Sequence, residues 1–331
     1  MDVIVNILII LVSLIILDQA SHWTITNAIK VSDVAQLRRT AVGFSLLAFS
    51  TSLPELSVAF IAAFTGEAPI SVGNVLGSNI VNICLVVGLA TLIVSIRHLR
   101  AVSVIPSFAR EELGSLYFGL FVSSIIPLAL VYIVEASWVV GLILILIFAF
   151  YTYQMSKIRI PPEEGKGVSE DEKRKLKRYI FLTFLGVVGV ILSAYFLVES
   201  AVVVAEFAGI PRTLIGATII ALGTSLPELT LDLKAFLKGY QALAFGDIIG
   251  SSFVNITLIL GITLFVPVLL GSPLTMNMLV FRDLVIFSLI TNLFFWYFLS
   301  MGRLSWKEGA IFLFIYFLFL ASTLGVIQPH Q

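Results

Sequence analysis

Long apolar stretches recur along this chain and are separated by short polar segments. A helix needs about 20 mostly apolar residues to cross the hydrocarbon core of a bilayer. Ten stretches are candidates for such helices: residues 3–17, 40–65, 70–95, 115–134, 136–155, 179–205, 212–237, 242–267, 281–300 and 309–327. The first is short, but it has neither the basic n-region nor the small-residue cleavage site of a signal peptide. The pattern therefore predicts an all-α polytopic membrane protein with ten transmembrane helices.

The longest polar segment, residues 157–178, divides the predicted helices into two groups of five. It contains eight Lys or Arg residues together with Pro161 and Pro162, a composition typical of a flexible linker. We expect a first half over residues 1–156, this linker, and a second half over residues 179–331. If the linker is cytoplasmic, 18 of the 20 basic residues lie on the cytoplasmic side. The positive-inside rule then predicts a plasma-membrane protein with both termini outside.

The composition agrees with a membrane protein and excludes several other classes. Hydrophobic residues make up 59% of the chain and charged residues 12%, whereas a soluble domain has about 25% charged residues. A soluble enzyme, a nucleic-acid-binding protein and a disordered chain are therefore excluded. Basic and acidic residues number 20 each, so net charge indicates no partner beyond the lipid bilayer. The single cysteine, Cys84, permits neither an intramolecular disulfide nor a thiolate metal cluster.

Two segments of the chain repeat each other. Residues 43–88 align without a gap to residues 216–261, and 18 of the 46 positions are identical. Both segments contain Thr-Ser-Leu-Pro-Glu-Leu followed by Gly-x-x-x-Gly-Ser-x-x-x-Asn. Because each half has five predicted helices, the second copy enters the membrane from the opposite side. Inverted repeats of this kind are typical of secondary transporters, with a binding site near the bilayer midplane.

Glu55 and Glu228 are carboxylates within apolar predicted helices. A carboxylate in the membrane costs several kcal/mol unless it is paired, protonated or bound to a cation. No Lys or Arg lies at comparable depth in a predicted helix, so the missing countercharge is a metal ion or a proton. A structural pair that shares one proton is the alternative. Pro54 and Pro227 precede the glutamates, and each frees a backbone carbonyl four residues earlier.

Neutral oxygen ligands accompany the two carboxylates. Ser78 and Asn82 are spaced i, i+4 and share one helix face, and Ser251 and Asn255 repeat this arrangement. Together the repeats supply carboxylate, amide, hydroxyl and carbonyl oxygens. An all-oxygen set suits hard cations such as Ca2+ and Na+, and we expect no separate cofactor.

These two motifs resemble the alpha-repeats of the cation/calcium exchanger superfamily, in particular its prokaryotic Na+/Ca2+ exchangers. The resemblance implies an antiporter, not an enzyme, whose central sites are used alternately by Ca2+ and Na+. It implies Glu55 and Glu228 as ligands of both ions, with backbone carbonyls of Thr51 and Thr224 for Ca2+. It also implies that the first and sixth helices slide against the remaining core.

The resemblance further implies two symmetry-related Na+ sites with asparagines between them. One site would be lined by Ala48, Thr51, Ser52 and Ser78; its mate by Ala221, Thr224, Ser225 and Ser251; and the centre by Asn82 and Asn255. Family members often have aspartate where this chain has Asn255, so two carboxylates rather than three are expected at the centre. Asp247 replaces the Asn74 of the first repeat. It is interpreted as an outer ligand, a vestibule charge or a helix cap.

Several alternatives to Na+/Ca2+ exchange stay open at this level. Glutamates can take a proton in place of Na+, so H+/Ca2+ exchange is one; a K+ requirement and transport of Mg2+ or Mn2+ are others. The additional hydroxyls and carbonyls favour Na+, because a proton needs no such cage. An intramembrane aspartyl protease would need a GxGD motif, whereas residues 244–247 read Ala-Phe-Gly-Asp. A channel is disfavoured, since paired inverted repeats indicate alternating access.

Overall fold

The computed structural model of the chain describes residues 3–65, 68–98, 110–133, 135–155, 170–207, 221–271, 276–302 and 304–323. The α-helices are α1 Val3–Ala35, α2 Arg39–Val42, α3 Ala48–Thr51, α4 Leu53–Thr65, α5 Ala68–Ile80, α6 Gly88–His98, α7 Arg110–Ile133, α8 Trp138–Met155, α9 Glu170–Phe207, α10 Ala221–Thr224, α11 Leu226–Leu237, α12 Gln241–Val254, α13 Leu260–Leu269, α14 Arg282–Ser300 and α15 Trp306–Thr323. Two short strands, β1 Glu135–Ala136 and β2 Met276–Asn277, pair antiparallel.

The structure confirms an all-helical protein with many membrane spans. Eight helices in the described part of the chain are long and apolar enough to cross a membrane. The number is nine if the bent pair Arg39–Thr51 and Leu53–Phe64 forms one span. The count of ten stays a prediction, because the expected helix 212–237 begins among residues 208–220, outside the described residues. Its described part consists of α10 and α11.

Two helices are longer than the apolar pattern predicts. The expected first helix ends at residue 17, yet α1 continues to Ala35, because its second half buries one face against the core. The expected sixth helix begins at residue 179, whereas α9 begins at Glu170. Residues 170–178 of the expected linker are therefore helical, and residues 157–169 lie outside the described residues.

The long helices α1 and α9 pack along each other. Gly186 of α9 lies so close to Thr24 that a larger side chain would collide with it. Farther along the pair, Lys30 Nζ lies 5.2 Å from the centroid of the Tyr179 ring. The two helices thus contact each other over several turns.

The continuous helix formed by α12, a π-helical segment and α13 defines two faces of the molecule. Near its start, the Arg39 guanidinium lies 5.1 Å from the centroid of the Tyr240 ring, so α2 and α12 begin at the same face. We call this the basic face. Beyond the end of α13 the strands β1 and β2 pair, and we call this the strand face. The span Gln241–Leu269 has 29 residues, which is about 43 Å of helix.

In the described part of the two repeats, three π-helical segments interrupt the helices. They are Gly43–Leu47, Val81–Val87 and Asn255–Ile259. Short π-helical segments inside α-helices are frequent at functional sites. The second contains Asn82 and the third begins at Asn255, so the equivalent asparagines of both repeats lie in π-helical backbone.

Glycines bring α12 into backbone contact with the segment from α2 to α3. A Cβ atom on Gly246 would collide with the carbonyl oxygen of Thr40, and one on Gly250 would lie 2.7 Å from the Cα of Phe44. A Cβ atom on Gly43 would in turn collide with the carbonyl oxygen of Leu243. Small residues permit such close approach between membrane helices, and here they join the two segments on the basic-face side of Glu228.

Candidate cation site

The two Thr-Ser-Leu-Pro-Glu-Leu motifs break their helices at equivalent positions. α3 ends at Thr51 and α4 begins at Leu53, while α10 ends at Thr224 and α11 begins at Leu226. Proline is favoured in the first turn of a helix, where its missing N–H is not needed. Each glutamate therefore lies in the first turn of a new helix rather than midway along an unbroken one. The positive end of the helix dipole favours negative charge there.

Side chains from both repeats meet in one buried cluster. Glu55 and Glu228 are each 1% exposed. Ser78 Oγ donates to Glu55 Oε1 over 3.3 Å, and Ser225 Oγ donates to Ser78 Oγ over 3.2 Å. On the other side, Thr51 Oγ1 and Ser251 Oγ lie 3.5 Å apart. The structure thus brings together six residues predicted from the repeats.

The hydroxyl contacts cross between the repeats. The resemblance groups Ser78 with Thr51 and Ser251 with Ser225, each within its own repeat. In the structure Ser78 instead contacts Ser225, and Ser251 contacts Thr51. Each oxygen group is therefore built from both halves of the chain. A cation held there would link the two repeats directly.

Several buried oxygens in this cluster have no hydrogen-bond partner among the described residues. They are Glu55 Oε2, Glu228 Oε1 and Oε2, Ser52 Oγ, Asn82 Oδ1 and Asn255 Oδ1. Buried polar atoms are normally satisfied, and an unpaired carboxylate is costly. The ion pairs between described residues join Arg38 to Glu112, Lys234 to Asp18 and Arg282 to Asp283, so they do not neutralise Glu55 or Glu228.

The two equivalent asparagines have different surroundings. Asn255 Nδ2 donates to Asn79 Oδ1 over 2.9 Å, and Asn79 Nδ2 donates to the carbonyl oxygen of Ser252 over 3.5 Å. Both side-chain atoms of Asn82 lack a described partner. Asn255 is therefore oriented with its carbonyl oxygen left unpaired. Sequence reasoning missed Asn79, because the aligned residue of the second repeat is Ser252 and the pattern there is not shared.

Two of the three interpretations of Asp247 are wrong. It is the seventh residue of α12, whose N-cap is Tyr240, so it does not cap this helix. It is completely buried, so it is not a charge in an open vestibule. Its carboxyl group lies beside the hydroxyls of Thr51 and Ser251, and neither carboxyl oxygen accepts a direct hydrogen bond from a described group. Of the three interpretations, the one left is that Asp247 is an outer ligand.

Asp232 is a second acidic residue of this region, and the sequence analysis missed it. It follows Glu228 by four residues on α11, shares its helix face, and is 1% exposed. Its carboxyl group lies next to that of Asp247. The i, i+4 spacing from Glu228 was a usable signal. It was hidden because the aligned residue of the first repeat is Ala59.

The remaining predicted residues are the two alanines and Thr224. Ala48 is completely buried, and its Cβ lies 2.8 Å from the position that a Cβ on Gly250 would take. The backbone of Ala221 and Thr224 forms α10, but their side chains lie outside the described residues. Among the described residues, no three His, Cys, Asp or Glu side chains are grouped closely enough to hold a metal ion. Any cation here therefore needs hydroxyl and carbonyl oxygens besides a carboxylate pair.

A cavity of about 220 Å³ reaches this cluster from the strand face. It lies between the first repeat and the helices α10, α14 and α15, and its lining includes Gly73, Gly77, Ser78, Leu222, Leu284 and Tyr316. Leu284 is close to the start of α14, just after β2. Because Ser78 donates to Glu55, the cavity ends at the carboxylate cluster.

Buried carboxylates and hydroxyls from two repeated motifs, within a bundle of apolar helices, define a membrane transport protein with a site for hard cations. Comparison with known families agrees. The sequence model of the family described as "Sodium/calcium exchanger protein" matches residues 5–157 and 178–325. The chain therefore belongs to the sodium/calcium exchanger family, a family of cation/Ca2+ antiporters rather than enzymes.

Individual relatives and a solved structure support this assignment. The sodium/calcium exchanger MaX1 of Methanosarcina acetivorans is 30% identical over 303 residues, covering 80% of this chain and 84% of that protein. The membrane protein MJ0091 of Methanocaldococcus jannaschii is 29% identical over 316 residues, covering 94% and 96%. The sodium-calcium exchanger NCX_Mj, in crystals soaked with 10 mM Na+ and no Ca2+, has the same fold. Its TM-score is 0.80 at 24% identity, with 97% of this chain and 99% of that chain covered.

Proposed function

We propose that this protein exchanges Na+ for Ca2+ across the membrane by alternating access, through one site built around Glu55 and Glu228. The observation that carries this proposal is the pair of buried glutamates, one from each repeat, whose free oxygens have no described partner. One Ca2+ neutralises both carboxylates. Because an empty site leaves two buried charges unpaired, the empty carrier reorients slowly, and transport becomes obligatory exchange.

The hydroxyl groups favour Na+ as the counter-ion. Ser78 adjoins Glu55 and contacts Ser225, while Thr51 adjoins Glu228 and contacts Ser251. The backbone carbonyls of Thr51 and Thr224 and the side chains of Ser52, Asn82 and Asn255 complete the proposed ligand set, with Ala48 and Ala221 lining its Na+ positions. Neutral oxygens of this kind can replace the hydration shell of Na+, whereas a proton would need only a carboxylate.

Alternating access is supported by the difference between the two sides of the site. A cavity reaches Ser78 from the strand face, while glycine contacts join α12 to the α2–α3 segment on the basic-face side. We propose that the second state exchanges these arrangements between the repeats. In this scheme α1 and α9 slide against the remaining core.

The proposed arrangement in the membrane follows from charge. Two inverted halves, residues 1–156 and 179–331, would contribute ten spans. The basic face carries Arg38, Arg39, Lys234 and Lys238, and we propose that it is cytoplasmic in the plasma membrane, with both termini outside.

The decisive experiment is Ca2+ uptake into proteoliposomes that contain the purified protein. Vesicles are loaded with Na+, K+, Na+ together with K+, or choline at equal pH, and a further set carries an acid interior. We expect rapid Ca2+ uptake only with internal Na+. Uptake driven by the acid interior would show H+/Ca2+ exchange instead, and a need for K+ together with Na+ would show K+-dependent exchange. Mg2+ and Mn2+ competing at equal concentration test the divalent substrate.

The membrane potential tests the stoichiometry. If three Na+ exchange for one Ca2+, one net charge moves per cycle, and about 2.3 kcal/mol per 100 mV acts on it. A K+ diffusion potential set with valinomycin should then change the rate of Ca2+ uptake. If the rate of Ca2+ uptake does not depend on the membrane potential, the three-to-one ratio is contradicted but the exchange itself is not.

A further inference from the structure

The second repeat has two buried carboxyl groups for which the first repeat has no equivalent. Asp232 lies one helical turn beyond Glu228, about 6 Å farther along α11, on the side of the basic face. Asp247 of α12 lies next to it. The aligned residues of the first repeat are Ala59 and Asn74. The Glu228 side of the cluster thus holds more carboxyl groups than the Glu55 side.

No described cationic side chain lies against this pair, and its two carboxyl groups are close enough to each other to share a proton. Asp232 and Asp247 are 1% and 0% exposed. Neither oxygen of Asp247 nor Oδ2 of Asp232 accepts a hydrogen bond from a described residue. The basic residue nearest in sequence to Asp232 is Lys234, and it is paired with Asp18 of α1. Two ionised carboxylates here would be strongly unfavourable, so the pair holds either a shared proton or a bound cation.

The oxygens around the pair match a hard divalent cation. The hydroxyls of Thr51 and Ser251 lie beside the Asp247 carboxyl group, within reach of its oxygens. Two carboxylates and two hydroxyls offer six oxygens, and Ca2+ takes 6–8 oxygen ligands. A divalent ion also neutralises both aspartates, whereas one Na+ would leave a net buried charge.

We propose that Asp232 and Asp247 form a second binding site for a Ca2+-class divalent cation, next to the Glu55–Glu228 site and on its basic-face side. The inference rests on the proposed function, because it places the second site in series with the Glu55–Glu228 transport site. Thr51 lies between them, close to both Glu228 and Asp247. A cation that leaves Glu228 toward the basic face would meet this pair next.

The test is a count of bound Ca2+ by equilibrium dialysis of the purified protein with radioactive Ca2+, without Na+. Wild type should bind two Ca2+ per chain, and Asp232→Asn should bind one. The double variant Glu55→Gln/Glu228→Gln should also bind one, at the aspartate pair. Asp232→Glu, which keeps the charge, should restore the second ion. Asp283→Asn is the matched control, because Asp283 is exposed on α14, and it should bind two.

The outcomes separate this inference from the proposed function. If wild type and Asp232→Asn bind the same number of Ca2+, the second site is overturned, while Na+-driven uptake can still hold. If wild type binds two ions but shows no Na+-driven uptake, the second site stands and Na+/Ca2+ exchange fails. Should Asp232→Asn not purify as a single species, Asp232→Ala replaces it, since the first repeat carries a buried alanine at this position.

Discussion

The same Gly-x-x-x-Gly-Ser motif occurs in two different settings in this molecule. In α12, Gly246 and Gly250 are in contact with the backbone of Thr40 and Phe44. In α5, a Cβ atom on Gly73 or Gly77 would have no described atom of another helix within 4 Å, and both glycines line the cavity. Equivalent sequences therefore form a close helix contact in one repeat and a cavity wall in the other.

This difference separates the features that the two repeats share from those in which they differ. Glu55 and Glu228 lie in equivalent first turns of broken helices, so this local geometry is common to both repeats. The packing around the glycines differs, although the glycines themselves are shared. A motif suited to close packing but found beside a cavity is what the proposed alternation between two arrangements would require.

The largest effect is expected from removing either of the two glutamates that the halves have in common. Glu55→Gln and Glu228→Gln should each lower Na+-driven Ca2+ uptake by at least about 100-fold, since losing one partner of a buried charge interaction costs about 3–5 kcal/mol. Uptake into proteoliposomes is the measurement, with Glu199→Gln, an exposed glutamate of α9, as the control. Activity within twofold of wild type in either variant would rule out the two-carboxylate site.

The glycine contacts can be compared directly by making one substitution in both repeats. Gly246→Ala should destabilise the protein, because overpacking costs about 1–3 kcal/mol, while Gly73→Ala should leave the Tm nearly unchanged. Thermal unfolding in detergent, without Na+ or Ca2+, measures both. Equal shifts in Tm for the two variants would show that the packing difference is absent in solution.

A bulkier side chain in the cavity tests whether the two settings interchange. Gly73→Leu should fold normally but transport Ca2+ about tenfold more slowly, because the proposed second state would pack α5 as closely as α12 is packed now. Gly114→Leu is the control, since Gly114 of α7 also has no described atom within 4 Å of a Cβ position. Unchanged transport by Gly73→Leu, at normal Tm, would argue against that exchange of packing.

The smallest expected difference is between Ser78 and Ser251, the equivalent serines of the two repeats. Ser78→Ala removes two hydrogen bonds and should raise the Na+ concentration for half-maximal exchange about fivefold, since a hydrogen bond contributes about 1 kcal/mol. The contact between Ser251 Oγ and Thr51 Oγ1 is long, at 3.5 Å, and Ser251→Ala should have about a twofold effect. The measurement is Na+ dependence of Ca2+ uptake. A larger effect for Ser251 would reverse the ranking of the two groups.

The sequence predicts the features that depend on local composition and on repetition. The all-helical membrane architecture follows from apolar length, and the helix breaks follow from Pro54 and Pro227. The sequence does not predict which serine contacts which repeat, because those contacts depend on how the two halves pack against each other. Repetition does not reveal Asp232, because the first repeat has Ala59 at the aligned position. The extent of α1 was underestimated, since Asp18 interrupts the apolar pattern without interrupting the helix.

The lengths of α1 and α9 have a consequence for the surrounding lipid. α1 has 33 residues and α9 has 38, about 50 and 57 Å of helix, against a hydrocarbon core of about 30 Å. Helices longer than the bilayer is thick tilt or extend beyond it, and the bilayer deforms in response. Any sliding of this helix pair would then change its mismatch with the membrane. Lipid chain length would in that case act on the transport cycle, so that a thicker or thinner membrane favours one arrangement over the other.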